Sequence, residues 1–217
     1  MAGIASAIGI AAEGLVLSSS IFGVAIILIA LGLHKIGALV VFCALAVAMF
    51  FRDPERFPSR TEGVVISGAD GKVIDVSEVE MPGAGGVKCH RVSVFMSPLN
   101  VHVNRAPVAG EVVRVEHTSG EFRAAFQDEA SEHNERNLIV FEDLARRRFG
   151  IMQVAGYLAR RIICKLRVHD RIEIGQRIGL IMFGSRVDHF IPAEFRVMVA
   201  LGDRVSAGLS VLAEINL

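Results

Sequence analysis

The sequence predicts a mainly β (α+β) protein: a compact antiparallel β-sheet domain with barrel- or hammerhead-like elements, preceded by an N-terminal hydrophobic helical hairpin. Three observations predict it. The apolar excess of a 217-residue chain that is 52% hydrophobic is concentrated in the first 51 residues. Short β-rich runs separated by turn residues fill the remainder. One turn-then-strand segment occurs twice near the C-terminus.

From Met1 to Phe51 the charged or readily charged side chains are Glu13, His34 and Lys35 alone. Leu15–Leu33 is an uncharged stretch of 19 residues, and Ile36–Phe51 adds 16 more. The first is long enough to span a bilayer; the second is marginal and needs its neighbour. The start lacks the basic region of a secretory signal, and the apolar block is too long for one. Arg52, Arg56 and Arg60 follow the second segment, against a single Lys35 in the turn. That asymmetry places the rest of the chain on the cytoplasmic side of the cell (inner) membrane. A two-pass hairpin and a re-entrant one both satisfy it.

Arg52-Asp53-Pro54 and Pro58 end the apolar run, dividing residues 1–51 from a domain of residues 52–217. Strands are expected at Gly63–Ile66, Val92–Met96, Val112–Glu116, Leu138–Phe141, Ile162–Val168 and Phe195–Leu201. One short helix is expected at Ala155–Arg161. Basic and acidic residues number 23 each, so no net charge steers the chain toward nucleic acid. Cys43, Cys89 and Cys164 are far apart and form no metal-binding pattern; they read as buried free thiols.

The repeated segment is Asp170-Arg171-Ile172-Glu173-Ile174-Gly175, echoed 33 residues later as Asp203-Arg204-Val205-Ser206-Ala207-Gly208. Each copy runs into an apolar strand, Ile178–Phe183 and Val211–Ile215. Biotinyl and lipoyl carrier barrels use such an element, which gives a non-catalytic carrier module as the rival reading. A carrier needs an exposed Lys between the two copies, and that stretch has none.

Taken locally, Asp70 in Ala69-Asp70-Gly71 reads as a turn residue. His102, alternating with Val101 and Val103, reads as a strand-surface histidine. His117, His133, His169 and His189 read as surface or packing, and His90 beside Cys89 lacks the further ligands of a metal site. Arg146-Arg147-Arg148 and Arg160-Arg161 read as solvated faces able to meet anionic headgroups.

Several blocks in order say more. Ser67-Gly68-Ala69-Asp70-Gly71-Lys72-Val73 is followed by Phe95-Met96-Ser97-Pro98-Leu99-Asn100-Val101-His102. Then come Asn134-Glu135-Arg136-Asn137, Gln153-Val154-Ala155-Gly156 and Phe183-Gly184-Ser185-Arg186-Val187-Asp188. Together they resemble the phosphatidylserine decarboxylase proenzymes of short bacterial and archaeal form, from about Arg52 to the C-terminus. The resemblance implies a membrane enzyme that turns phosphatidylserine into phosphatidylethanolamine and CO2. A related seryl phospholipid, such as an archaeal ether lipid, is the alternative substrate.

Removing CO2 from an amino acid leaves a carbanion at Cα, so the reaction needs an electron sink conjugated to the substrate amine. No standard side chain is one, but a ketone becomes one by condensing with the amine. The resemblance implies that the ketone is a pyruvoyl group made from Ser185, with no metal. Ser185 attacks the Gly184 carbonyl, and β-elimination of the ester then leaves dehydroalanine, which hydrolyses to the ketone and ammonia. Residues 1–184 and 185–217 become the larger and smaller chains of a heterodimer, with a higher homo-oligomer possible. Gly184 suits a strained bond and a crowded carbonyl.

By the same resemblance Asp70, His102 and Ser185 form a relay in which Asp70 fixes the imidazole and His102 takes the Ser185 proton. Longer relatives carry a second histidine three residues after the first; here that position holds Arg105. Either His102 serves both cleavage and decarboxylation, or Arg105 binds a substrate carboxylate or phosphate while another base assists.

Overall fold

The computed structural model describes residues 9–83, 86–121, 133–156, 161–182 and 184–215. The chain divides into two compact units, Met1–Glu55 and Arg56–Leu217.

In the first unit, α1 (Ala12–Ala30) and α2 (His34–Phe50) form a hairpin. Its seam is made of small residues, Ser18 and Ala25 on α1 against Gly37 and Ala44 on α2, each pair seven residues apart. The approach is close: a Cβ on Gly37 would lie 2.4 Å from Ile29 Cγ1. Large apolar side chains such as Phe22, Ile26, Leu39, Phe42 and Leu45 point outward. That arrangement inverts the rule of a water-soluble pair and matches helices packed in lipid. The 19 residues of α1, with mean hydropathy 2.1, reach about 29 Å, and α2 reaches about 26 Å. Backbone bonds from Ala11 N to Phe51 O and from Asp53 N to Gly9 O close the open end.

The second unit is antiparallel β throughout its described ladders. One eight-stranded sheet runs in the order β13 (Arg204–Val205), β2 (Gly71–Glu80), β3 (Lys88–Met96), β11 (Ser185–Pro192), β7 (Arg148–Ala155), β6 (Arg136–Glu142), β5 (Gly110–Thr118) and β9 (Arg171–Ile172). Two three-stranded sheets join it: β1 (Val64–Ile66), β14 (Val211–Ile215) and β12 (Phe195–Val197), and β4 (Val103–Arg105), β10 (Arg177–Ile181) and β8 (Ile162–Cys164). All three sheets contribute to one core, in which Val65, Leu212 and Ile178 meet Val94, Ile139, Ile151 and Val187. The large sheet also buries its other face locally, through Cys89, Leu138, Met152, Val154 and Phe190.

The fold class expected from sequence is the one observed. The strand bounds differ in places: the run expected to reach Val168 ends at Cys164, that expected to reach Leu201 ends at Val197, β3 and β5 extend beyond their expected runs, and β2, β7 and β11 were not among the expected runs. Ala155 closes β7, and residues 157–160 of the expected helix lie outside the described residues, as does Phe183. Cys89 is buried, which pushes its thiol up to about 11, whereas Cys43 is exposed on the hairpin.

The repeated segment has the same structure twice. Asp170 accepts from Arg167 N at 2.7 Å, and Asp203 from Ala200 N at 2.8 Å. Each copy forms a two-residue edge strand, passes a glycine at positive φ (79° at Gly175, 76° at Gly208), and enters the middle strand of a small sheet.

Candidate active site

Ser185 opens β11, paired on one side with Met96 of β3 and on the other with Ala155 of β7. Strand alternation puts it on the face of Val187 and Ile191, toward the core. The hydroxyl is buried, and its Oγ donates to Met96 Sδ at 3.4 Å. Gly184 sits at φ +64°, a left-handed conformation that L side chains adopt at a cost of about 1–2 kcal/mol. Among the described residues nothing lies within 4 Å of a Cβ built there, so conformation rather than crowding calls for glycine.

On the opposite face, Arg186 Nε donates to Asp188 Oδ1 at 2.6 Å and Arg186 Nη2 to Ser93 Oγ at 3.1 Å. All three residues are buried. A buried charge pair is held together firmly because losing either partner strands the other away from water. The first residues of β11 after the Gly184–Ser185 bond are therefore pinned to β3.

His102 follows a tight turn. Asn100 Oδ1 accepts from Ser97 N and Oγ at 2.9 and 2.7 Å, and Asn100 N donates to Ser97 O. The Asn100 carbonyl so placed lies 2.9 Å from His102 Nδ1. A carbonyl only accepts, so Nδ1 carries the proton and Nε2 is the basic nitrogen of the neutral ring.

The relay expected through Asp70 is not formed in the intact chain. The Asp70 carboxylate accepts from both arms of the Arg56 guanidinium and from Ala207 N–H at 2.7 Å. A planar guanidinium matches a carboxylate at two points, and the turn before Gly208 adds the third donor. The task of fixing the His102 tautomer falls to Asn100 instead.

Arg105, expected at the substrate, is also placed differently. It is buried, its Nη1 donates to Gly175 O at 3.0 Å, and a Cβ on Gly208 would lie 2.8 Å from its Cδ. The side chain thus lies between the two copies of the repeated turn. A guanidinium enclosed there supports the turns and has little access to a lipid headgroup.

His189 is buried with both nitrogens engaged: Nε2 accepts from Gly68 N at 2.8 Å, and Nδ1 lies 3.1 Å from Val92 O. Burial pushes its pKa down to about 4, against smaller opposing effects of Val92 and Asp188. A ring so held is packing, as the sequence suggests, and a poor base for Ser185. His117 and His169 pair at the surface with Glu135 and Glu111.

Among the described residues four buried carboxamides were given no role by sequence: Asn104, Gln153, Asn137 and Asn134, whose Nδ2 donates to the carbonyl of Ala155 at 2.7 Å. For the first three the available signal was an amide at an inward position of an apolar strand. By contrast, a cavity of about 760 Å³ lined by Arg146, Arg147, Phe149 and Phe195 lies elsewhere. Phe149 is six residues along β7 from Ala155, about 20 Å of strand from the Ser185 row.

The model of the family described as phosphatidylserine decarboxylase matches residues 43–213. The chain belongs to the phosphatidylserine decarboxylase family. Among its relatives, the phosphatidylserine decarboxylase proenzyme of Symbiobacterium thermophilum is 46% identical over 193 residues, 88% of this chain and 90% of that one. The proenzyme of Chlorobium chlorochromatii is 44% identical over 177 residues, covering 82% of each chain. That of Mycolicibacterium smegmatis is 44% identical over 171 residues, 77% of this chain and 74% of its own. The decarboxylase-family match runs from within α2 into β14, so it includes His102, the Gly184–Ser185 bond and both repeated turns.

Proposed function

We propose that this protein is a self-processing carboxy-lyase that converts phosphatidylserine to phosphatidylethanolamine and CO2 with a pyruvoyl group made from its own Ser185. The observation that carries this reading is the family match along most of the chain, with a buried serine after a positive-φ glycine inside it. In the cleavage, Ser185 Oγ bonds to the Gly184 carbonyl carbon, the Gly184–Ser185 C–N bond breaks, and the Oγ proton ends on the Ser185 nitrogen. Elimination then breaks the Cβ–O bond, leaving a Gly184 carboxylate and a dehydroalanine that water converts to the ketone and ammonia.

His102 Nε2 is the proton acceptor in this scheme, and Asp70 supports the site as the partner of Arg56. The surroundings of Ser185 suit the ketone: Met96 and Ala155, its neighbours across the sheet, are uncharged and buried. The ketone supplies the electron sink that stabilises the carbanion left by CO2. The hairpin embeds in the inner membrane, and Arg52, Arg56 and Arg60 keep the β unit on the cytoplasmic side, at the headgroup layer. The larger and smaller chains remain together as a heterodimer.

Mass spectrometry of the purified protein tests the reading. We expect a chain ending at Gly184 and a smaller one ending at Leu217 without a free N-terminal amine. Ser185→Ala should stay one chain and release no CO2; a two-chain Ser185→Ala protein ends the proposal.

A further inference from the structure

Three buried carboxamides run head to tail toward Ser185. Asn137 Nδ2 on β6 donates to Gln153 Oε1 on β7 at 3.0 Å, and Gln153 Nε2 donates to Asn104 Oδ1 on β4 at 2.8 Å. Asn104 Nδ2 in turn donates to Met96 Sδ at 3.6 Å, the sulfur that also takes the Ser185 hydroxyl. None of the three amides is more than 2% exposed.

The ending of this chain is its telling feature. Buried amides are kept for strong partners, because a poorly satisfied donor in a dry core costs stability. A thioether is a weak acceptor, yet an amide N–H and a hydroxyl both converge on this one. Ser185 gives up its hydroxyl proton when it attacks, which leaves the Asn104 N–H as an under-used donor beside the reacting oxygen, able to meet negative charge as it forms. The oxygens of Gln153 and Asn104 each accept from the amide before, which polarises the next N–H in the same direction.

We propose that Asn104 donates its Nδ2–H to the oxyanion formed when Ser185 attacks the Gly184 carbonyl, with Gln153 and Asn137 as positioning residues that aim it. The proposal rests on the self-cleavage reading above. As the Oγ–C bond forms, a carbonyl electron pair moves onto the oxygen. When the intermediate collapses, that pair returns and the C–N bond breaks toward the Ser185 nitrogen, which takes the proton given up by Oγ. A neutral amide stabilises the charged oxygen without competing for that proton, so Asn104 and His102 have separate tasks.

The test follows cleavage itself, in full-length chain made by cell-free synthesis into detergent and sampled over time by denaturing electrophoresis. Asn104→Ala should cut about 100-fold more slowly than wild type, the usual loss on removing one such donor. Its uncut form should melt within a few degrees of uncut Ser185→Ala. Asn104→Asp can donate only while protonated, so its cutting rate relative to wild type should rise as pH falls. Gln153→Leu should slow cutting less than Asn104→Ala does. Cutting by Asn104→Ala at close to the wild-type rate overturns the proposal, as does an Asn104→Asp profile parallel to wild type. Should Asn104→Ala fail to melt cooperatively, the Asn104→Asp profile decides alone. A wild-type chain that never cuts defeats the parent reading instead, so the two failures are distinct.

Discussion

His102 and His189 show how far a single residue's surroundings decide what it can do. Both are buried, but His102 holds its Nδ1 proton on a turn carbonyl, whereas His189 ties Gly68 and Val92 to β11 through both nitrogens. His189 titrates near 4 when folded against about 6.5 when unfolded. The unfolded chain therefore binds an extra proton between those values, and stability is complete above about 6.5 and declines as pH falls toward 4. At pH 5 this amounts to about 2 kcal/mol relative to pH 7. Urea unfolding of the uncut Ser185→Ala chain at the two pH values should show that loss, and adding His189→Asn should remove most of it; an equal loss with and without His189→Asn would assign it to other groups. Little of this was legible residue by residue. Asp70 and Arg105 carry charges that suggest chemistry, yet their partners, Arg56 and Gly175, lie 14 and 70 positions away and leave no local trace. Asn104 reads as one more polar residue until Gln153 is seen across from it.

At the scale of elements, pattern was legible in the apolar runs of β3, β5, β6 and β14, while β2 was missed although its outer half alternates, because charged residues interrupt it. Pattern also failed for β7 and β11, which bury both faces and so lack alternation. β11 is harder still, because Arg186, Asp188 and His189 look like a surface loop while being fully buried. The hairpin was legible from charge alone, but not its seam, since Gly37 and Ala44 matter through what they allow to approach. The outward apolar face predicts the hairpin's role. A chain starting at Arg56 should still cut itself, because the residues around Ser185 all lie beyond that point. It should stay in the aqueous phase when floated with phosphatidylserine vesicles, whereas full-length protein rises with them. Flotation of the shortened chain at high salt would place a second anchor within the β unit.

The β unit is woven across the Gly184–Ser185 bond. The repeated turn, visible in sequence as a bare echo of six residues, puts β9 and β13 at opposite edges of the large sheet and β10 and β14 in the centres of the small ones. The echo was legible; its place in three sheets was not, because the pairings join segments as far apart as Val64 and Glu214. Residues 185–215 supply β11, β12, β13 and β14, so the shorter product of the proposed cleavage would hold a central strand of the large sheet and the middle strand of a small one. Before the cut, those strands are delivered by their own chain at a fixed high local concentration. After it, they are held by contacts alone, and unfolding becomes a dissociation governed by mass action. The melting temperature of the cut protein should therefore climb with protein concentration, while that of uncut Ser185→Ala stays constant; matching behaviour would show that the fragments never separate on melting. The covalent link between those strands exists only in the precursor, so in the proposed mature enzyme the two products stay joined by their shared sheets alone.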